Sequence, residues 1–212
     1  MTEDTPATRS PLKLGILISG RGSNMIAIHN SIREGRLPGV EIAIVISNTA
    51  SACGLAVCRE LGLPTEVFIS KGRPSAEHDA DVDACLRRHN VDLVVLAGYM
   101  RLLSPEFIHA FHNRIVNIHP SLLPAFPGLD AQHQAFDYGV KVAGCTVHFV
   151  DEHLDHGPII LQRAIPILDT DDADSLSARI LKEEHIAYSE AIARIASGNY
   201  EFLGRRYVRR AS

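Results

Sequence analysis

No apolar run in this 212-residue chain is long enough to cross a bilayer, so no membrane-spanning helix is expected. The stretch from Met1 to Pro11 is polar and has no apolar centre, so it does not read as a signal peptide. With nothing marking export, a cytoplasmic location is the expectation. Basic residues are not in excess: 21 Lys and Arg stand against 25 Asp and Glu, a net charge of -4. A general nucleic-acid binder carries a basic face, so neither nucleic acid nor membrane is expected as a partner, and small molecules are. The exception is Arg205-Arg206-Tyr207-Val208-Arg209-Arg210, which lies at the C-terminal end and reads as a solvated tail. Cysteine is sparse. Cys53, Cys58, Cys85 and Cys145 match no zinc spacing and contain no C-x-x-C, which argues for reduced thiols packed as small apolar groups. Cys53 and Cys58 are expected to face different ways on one helix.

What is present is globular. Hydrophobic residues make up 46% and charged residues 22%, and the length is enough to bury a core. Residues 1–11 read as a disordered tail. Residues 12–212 show no repeat and no linker, and are expected to form a single domain. Short apolar runs (13–19, 41–47, 65–69, 92–97, 115–118) alternate with helical patterns (24–34, 52–61, 76–89, 105–111). The runs are apolar without a period of two, as in strands buried on both faces. The fold class is therefore α/β: an open, mostly parallel, twisted, Rossmann-like sheet with helices on both faces. Residues 131–138 read as a further helix. Residues 143–150 and 159–168 read as an antiparallel C-terminal strand pair. Residues 175–196 read as a long helix, with Asp172 or Asp174 placed to cap or charge its start.

Two segments carry chemistry. Gly20-Arg21-Gly22-Ser23-Asn24 joins the first strand to the first helix, where glycines let backbone N–H groups approach an anion. It lacks the third glycine of a dinucleotide loop and the Gly-Lys-Ser/Thr of a nucleoside-triphosphate loop, so a sugar monophosphate suits it better. A plain turn with Ser23 or Asn24 as N-cap is the bland alternative. Asn117-Ile118-His119-Pro120-Ser121 ends a strand, with Asn117 and His119 two apart and on one face. An amide donor beside an imidazole suits oxyanion stabilisation and proton movement in acyl transfer. A Pro-rich loop follows, to Gly128. A second cluster, Val150 to Pro158, carries three acids and two histidines. Asp151 and Glu152 read as a solvated acidic turn. Asp155, just before Gly157-Pro158, is better placed to enter a cleft, orient His119 and favour its imidazolium form. His153 and His156 are three apart, with no strand or helix to hold them convergent with a third ligand, so no metal is expected.

At these residues the chain resembles the phosphoribosylglycinamide formyltransferases, folate-dependent enzymes of purine synthesis. The matching pieces are residues 17–24, 95–101, 117–124 with Pro127-Gly128, 144–150 and 154–160, in order. The resemblance implies a formyltransferase fold and transfer of a formyl group from 10-formyltetrahydrofolate, the co-substrate, to the amine of phosphoribosylglycinamide. It implies Asn117, His119 and Asp155 as catalytic residues. Gly22, Ser23, Asn24 and Glu184 would bind the ribonucleotide. Met100, Arg101, Leu102, Leu103, Asn117, Val150, Asp151 and Asp155 would line the folate site. Ser75 stands where the family commonly has arginine, and Arg73 takes its place as the folate-tail contact. Leu181 and Gln132 stand where polar and histidine side chains are often found. The mechanism expected is direct attack by the substrate amine with no covalent enzyme intermediate. Rivals are a formyltetrahydrofolate hydrolase, a methionyl-tRNA formyltransferase, for whose extra domains the chain has no room, and a non-catalytic nucleotide-binding module. A homodimer is compatible with the sequence.

Overall fold

A computed structural model describes residues 10–211 of the chain. The expected tail over residues 1–11 therefore lies almost wholly outside the described residues. Seven strands form one sheet in the order β3-β2-β1-β4-β5-β6-β7. They are β1 (Leu12–Ile18), β2 (Val40–Ser47), β3 (Thr65–Val67), β4 (Leu93–Leu96), β5 (Ile115–His119), β6 (Val142–Phe149) and β7 (Ile159–Pro166). The first five are mutually parallel, β6 runs antiparallel to β5, and β7 runs antiparallel to β6. The expected parallel sheet and its antiparallel pair are both found.

The central apolar runs become strands with helices on both sides, whereas β3, at the sheet edge, is only partly covered. Leu14, Ile16 and Ile18 of β1 point to one face, where they join Met25 and Ile28 of α1 (Ser23–Arg33) and Leu176, Ile180 and Tyr188 of α6 (Ala173–Ser197). Cys58 of α2 (Cys53–Glu60) belongs to the same core. Leu17 of β1 points the other way, to Val82, Cys85 and Leu86 of α3 (Ser75–Arg88), to Phe107 of α4 (Pro105–Ala110) and to Phe111 just after it. With side chains alternating across each strand, burial on both faces erases the polar alternation of a half-exposed sheet. α5 (Ala131–Tyr138) follows the Pro-rich loop. α6 starts on a capping box: Ser175 N–H donates to Asp172 Oδ1 at 2.7 Å, and Asp172 N–H donates to Ser175 Oγ at 3.0 Å.

Two expectations change. Cys53 is exposed, so only Cys58, Cys85 and Cys145 are packed thiols; the two cysteines of α2 do face different ways. The arginine-rich C-terminal end is not a solvated tail but a hairpin, β8 (Tyr200–Leu203) and β9 (Arg206–Arg209). Phe202 and Tyr207 face each other across it, and both pack on Phe149 at the end of β6, with ring centroids 4.9 and 5.1 Å away. Two aromatics on one face anchor the hairpin while its arginines stay in solvent.

Candidate active site

Strand order reverses between β1 and β4: β1 leads outward to β2, and β4 leads the other way to β5. In open α/β sheets the crevice at the carboxyl ends of such strands is where ligands bind. The loops leaving β1 and β4 are stitched together there. Ser19 N–H donates to the Gly98 carbonyl at 3.1 Å, and Met100 N–H donates to Ser19 Oγ at 2.8 Å. Gly22 occupies the N-cap position of α1 with φ 72°, a left-handed conformation that suits glycine. Ser23 and Asn24 are thus the first helical residues rather than caps. No side chain caps this end, so the first-turn N–H groups and the positive end of the helix dipole face the crevice.

One strand separates β1 from β5, so their ends lie about 10 Å apart. Asn117 and His119 project from the same face of β5, and on β6 Asn117 sits opposite His148. The Asp155 carboxylate completes the cluster. Its Oδ2 lies 3.4 Å from His119 Nδ1 and accepts the Gly128 N–H at 2.8 Å, while Oδ1 lies 3.8 Å from His148 Nε2. Asp155 reaches this place with φ 50°. The side chains of His119 and Asp155 are only 6% and 8% exposed, so their interaction is little screened by water. His119 Nε2 lies 2.8 Å from the Phe126 carbonyl, which can only accept, so Nε2 carries a proton. Burial pushes the His148 imidazole below its usual range, countered in part by its bond to the Phe149 carbonyl and by Asp155. Neutral His148 then donates from Nδ1 to that carbonyl at 2.8 Å and accepts the Asn117 amide at Nε2, 3.4 Å away. The neighbouring hydroxyl and thiol are not nucleophiles. Ser121 Oγ donates to the Ala125 carbonyl at 2.6 Å, and burial pushes the Cys145 thiol up to about 12.

Beneath the glycine loop, Asn24 donates to Glu184 Oε2 at 2.8 Å. Glu184 is 7% exposed, and burial raises its carboxyl above the usual range, opposed by the Asn24 bond. The Asn24 carbonyl oxygen is buried with no partner. One turn along α6, the Tyr188 hydroxyl lies 2.9 Å from the Leu96 carbonyl and 3.0 Å from the Val116 carbonyl. That hydroxyl fastens α6 across β4 and β5 and fixes the height of Glu184 over the crevice.

The residues expected on the folate side are divided. Met100 and Leu102 are 71% and 72% exposed, and Leu103 packs on the core behind them. The Arg101 side chain is held by the segment between β3 and α3: it donates to the carbonyls of Ser70 and Arg73 at 3.2 and 2.9 Å and to Ser75 Oγ at 3.3 Å. Arg73 pairs with Asp81 at 2.9 Å. Val150 N–H donates to the Ile115 carbonyl at 2.9 Å, which anchors the start of the loop bearing Asp155. Glu152 is exposed and meets His109 at 3.2 Å. Asp151 is instead drawn in by the His153 N–H at 3.0 Å and by His156 Nδ1 at 2.9 Å. Neither strand nor helix holds the two histidines, yet one ligand atom from each of Asp151, His153 and His156 lies within 4.8 Å of the others.

A family model described as formyl transferase matches residues 12–192. The chain belongs to the formyl transferase family. It is 39% identical over 188 residues to phosphoribosylglycinamide formyltransferase of Escherichia coli, covering 88% of both chains. It is 46% identical over 189 residues to the trifunctional purine biosynthetic protein adenosine-3 of Drosophila melanogaster. That match takes in 88% of this chain but only 14% of the longer protein's length. Glycinamide ribonucleotide transformylase 1 from Symbiobacterium toebii has a solved structure that superimposes with a TM-score of 0.90. It is 50% identical and covers 94% of each chain.

Three residues of this candidate site were not singled out by a reading of the sequence for motifs. Thr146 and His148 are polar positions two apart in an otherwise apolar strand, and beyond their place in the family-like stretch 144–150 that break in pattern was their only signal. Thr146 accepts the Leu123 N–H at 3.0 Å and donates to the Ser121 carbonyl at 2.7 Å, pinning the Pro-rich loop over His119. Tyr188 had no signal beyond its place on the buried face of a long helix.

Proposed function

We propose that the chain transfers the formyl group of 10-formyltetrahydrofolate to the amine of 5-phosphoribosylglycinamide, a step of purine synthesis. The observation that carries this reading is the convergence of Asn117, His119 and Asp155 at the end of β5, with Asp155 3.4 Å from His119. An uncapped helix N-terminus, ready for a phosphate, opens into the same crevice. The names of the relatives fit both halves.

In this mechanism the phosphate takes the N–H groups of Gly22, Ser23 and Asn24 at the start of α1, and Glu184 holds the substrate's polar groups from below. The folate lies against Met100, Leu102, Leu103, the Arg101 backbone and the loop of Val150, Asp151 and Asp155, with Arg73 near its tail. The unprotonated amine attacks the formyl carbon and forms the new C–N bond. The developing oxyanion takes the Asn117 amide and the His119 Nε2–H, displacing the Phe126 carbonyl that holds this proton at rest. Asp155 steadies the imidazolium from Nδ1 and relays the amine proton, through water, to the folate nitrogen as its C–N bond breaks. Ser121 and Cys145 take no part, so no acyl-enzyme forms. A cytoplasmic location suits these substrates and the free thiols.

The test is to incubate the protein with 10-formyltetrahydrofolate with and without the ribonucleotide. Folate release that requires the ribonucleotide, with formylated product, is expected. Equal release without it would make the chain a hydrolase, and no release in either case would leave a binding module.

A further inference from the structure

The loop between β6 and β7 gathers three side chains that take no part in the proposed chemical steps, although Asp151 also borders the proposed folate site. Asp151, His153 and His156 each present a ligand atom within 4.8 Å of the other two. Asp151 is already set as an acceptor, its two oxygens 2.9 and 3.0 Å from His156 Nδ1 and the His153 N–H. The rings of His153 and His156 stand 5.2 Å apart. The backbone behind them is held firmly. At Gly157 a Cβ would lie 1.9 Å from the Phe149 carbonyl oxygen, so chain packs on chain there. Two imidazole nitrogens and one carboxylate form a borderline ligand set. It suits zinc and related divalent transition ions, whereas calcium and magnesium take oxygen sets.

We propose that Asp151, His153 and His156 form a binding site for a divalent transition-metal ion of the zinc class. The ion takes the place of the proton that His156 Nδ1 shares with Asp151, and solvent completes the coordination because His156 and Asp151 are 52% and 33% exposed. Asp155 lies between His153 and His156 in the chain, so a bound ion closes a staple around the catalytic carboxylate. One group opposes binding. Arg205 of the C-terminal hairpin places Nη1 3.3 and 3.4 Å from the two ring nitrogens of His156 and donates to the His156 carbonyl. Its positive charge weakens the site and links the ion to the docking of the hairpin.

The proposal stands apart from the formyl-transfer reading, and its test measures the ion directly. Zinc is titrated into the full chain, free of any histidine tag, in competition with a chromophoric chelator. A single tight equivalent is expected. His153→Ala weakens binding about 10-fold, and the His153→Ala/His156→Ala pair weakens it about 100-fold or more. Arg205→Ala tightens it about two- to fivefold, the size of an exposed charge interaction. Cys53→Ser leaves it unchanged. Absence of binding at millimolar zinc, or full binding by the double histidine variant, would overturn the site. Weaker binding by Arg205→Ala would count against placing the ion on His156.

Discussion

Replacing Asp155 with asparagine keeps the shape of the side chain and removes its charge. The neighbour affected is His119, whose Nδ1 is 3.4 Å from Asp155 Oδ2. Unit charges at that separation attract by about 1 kcal/mol in water and about 5 kcal/mol at an effective dielectric near 20. Both side chains are less than a tenth exposed, so the larger figure is the better starting point. Charge is spread over a ring and a carboxylate, and the asparagine carbonyl retains part of the interaction, which brings the loss to about 3 kcal/mol. If this loss falls on the transition state, kcat drops about 100-fold. The Gly128 N–H, bonded to Oδ2 at 2.8 Å, can still donate to the amide oxygen, so the loop holds its place and KM for the folate changes little. Steady-state formyl transfer measured spectrophotometrically, with a thermal melt to show an intact fold, tests this. A kcat within about fivefold of wild type would refute the role of the pair.

Three further outcomes are expected. Burial raises the Glu184 carboxyl in the folded state, so its contribution to stability is fully present below the ordinary carboxylate value and is lost as pH rises through the raised value. Glu184→Gln therefore gains stability over wild type as pH rises from the ordinary carboxylate range through the raised value in urea denaturation, and a difference that stays constant with pH would contradict the assigned burial effect. Tyr188→Phe removes a fully buried hydroxyl from between the Leu96 and Val116 carbonyls and lowers stability by about 1–3 kcal/mol, or about 2–4 °C in Tm for each kcal/mol. An unchanged melt would show that the hydroxyl does not fasten α6. Gly157→Ala drives a methyl into the Phe149 carbonyl, costs about 1–3 kcal/mol, and lowers turnover by displacing Asp155 two residues away; activity retained at lost stability would show that the loop adapts.

Much of the scaffold was legible because its signals are local. Buried parallel strands demand uninterrupted apolar runs, and helices between them demand amphipathic ones, so Leu93–Leu96 and Ala131–Tyr138 could be placed without partners. The pairing of Asn117 with His119 was legible for the same reason: a period of two puts both on one face of a strand. Asp155 was legible only as a carboxylate ahead of Gly157-Pro158, and family likeness supplied its role.

The rest was decided by elements far apart in sequence. His148 joins the cluster because the β5–β6 register sets it opposite Asn117. The C-terminal arginines form a hairpin because Phe202 and Tyr207 find the Phe149 ring, a partner that no local window contains. Arg101 binds the carbonyls of Ser70 and Arg73, and Asp151 turns to His153 and His156, where composition alone reads a solvated turn. By itself the chain's sequence determines which segments become strand or helix, because hydrophobic period is a property of neighbours along the chain. Which polar side chains meet, and whether they meet in water or out of it, follows from strand register and loop packing, and those exist only once the sheet has formed.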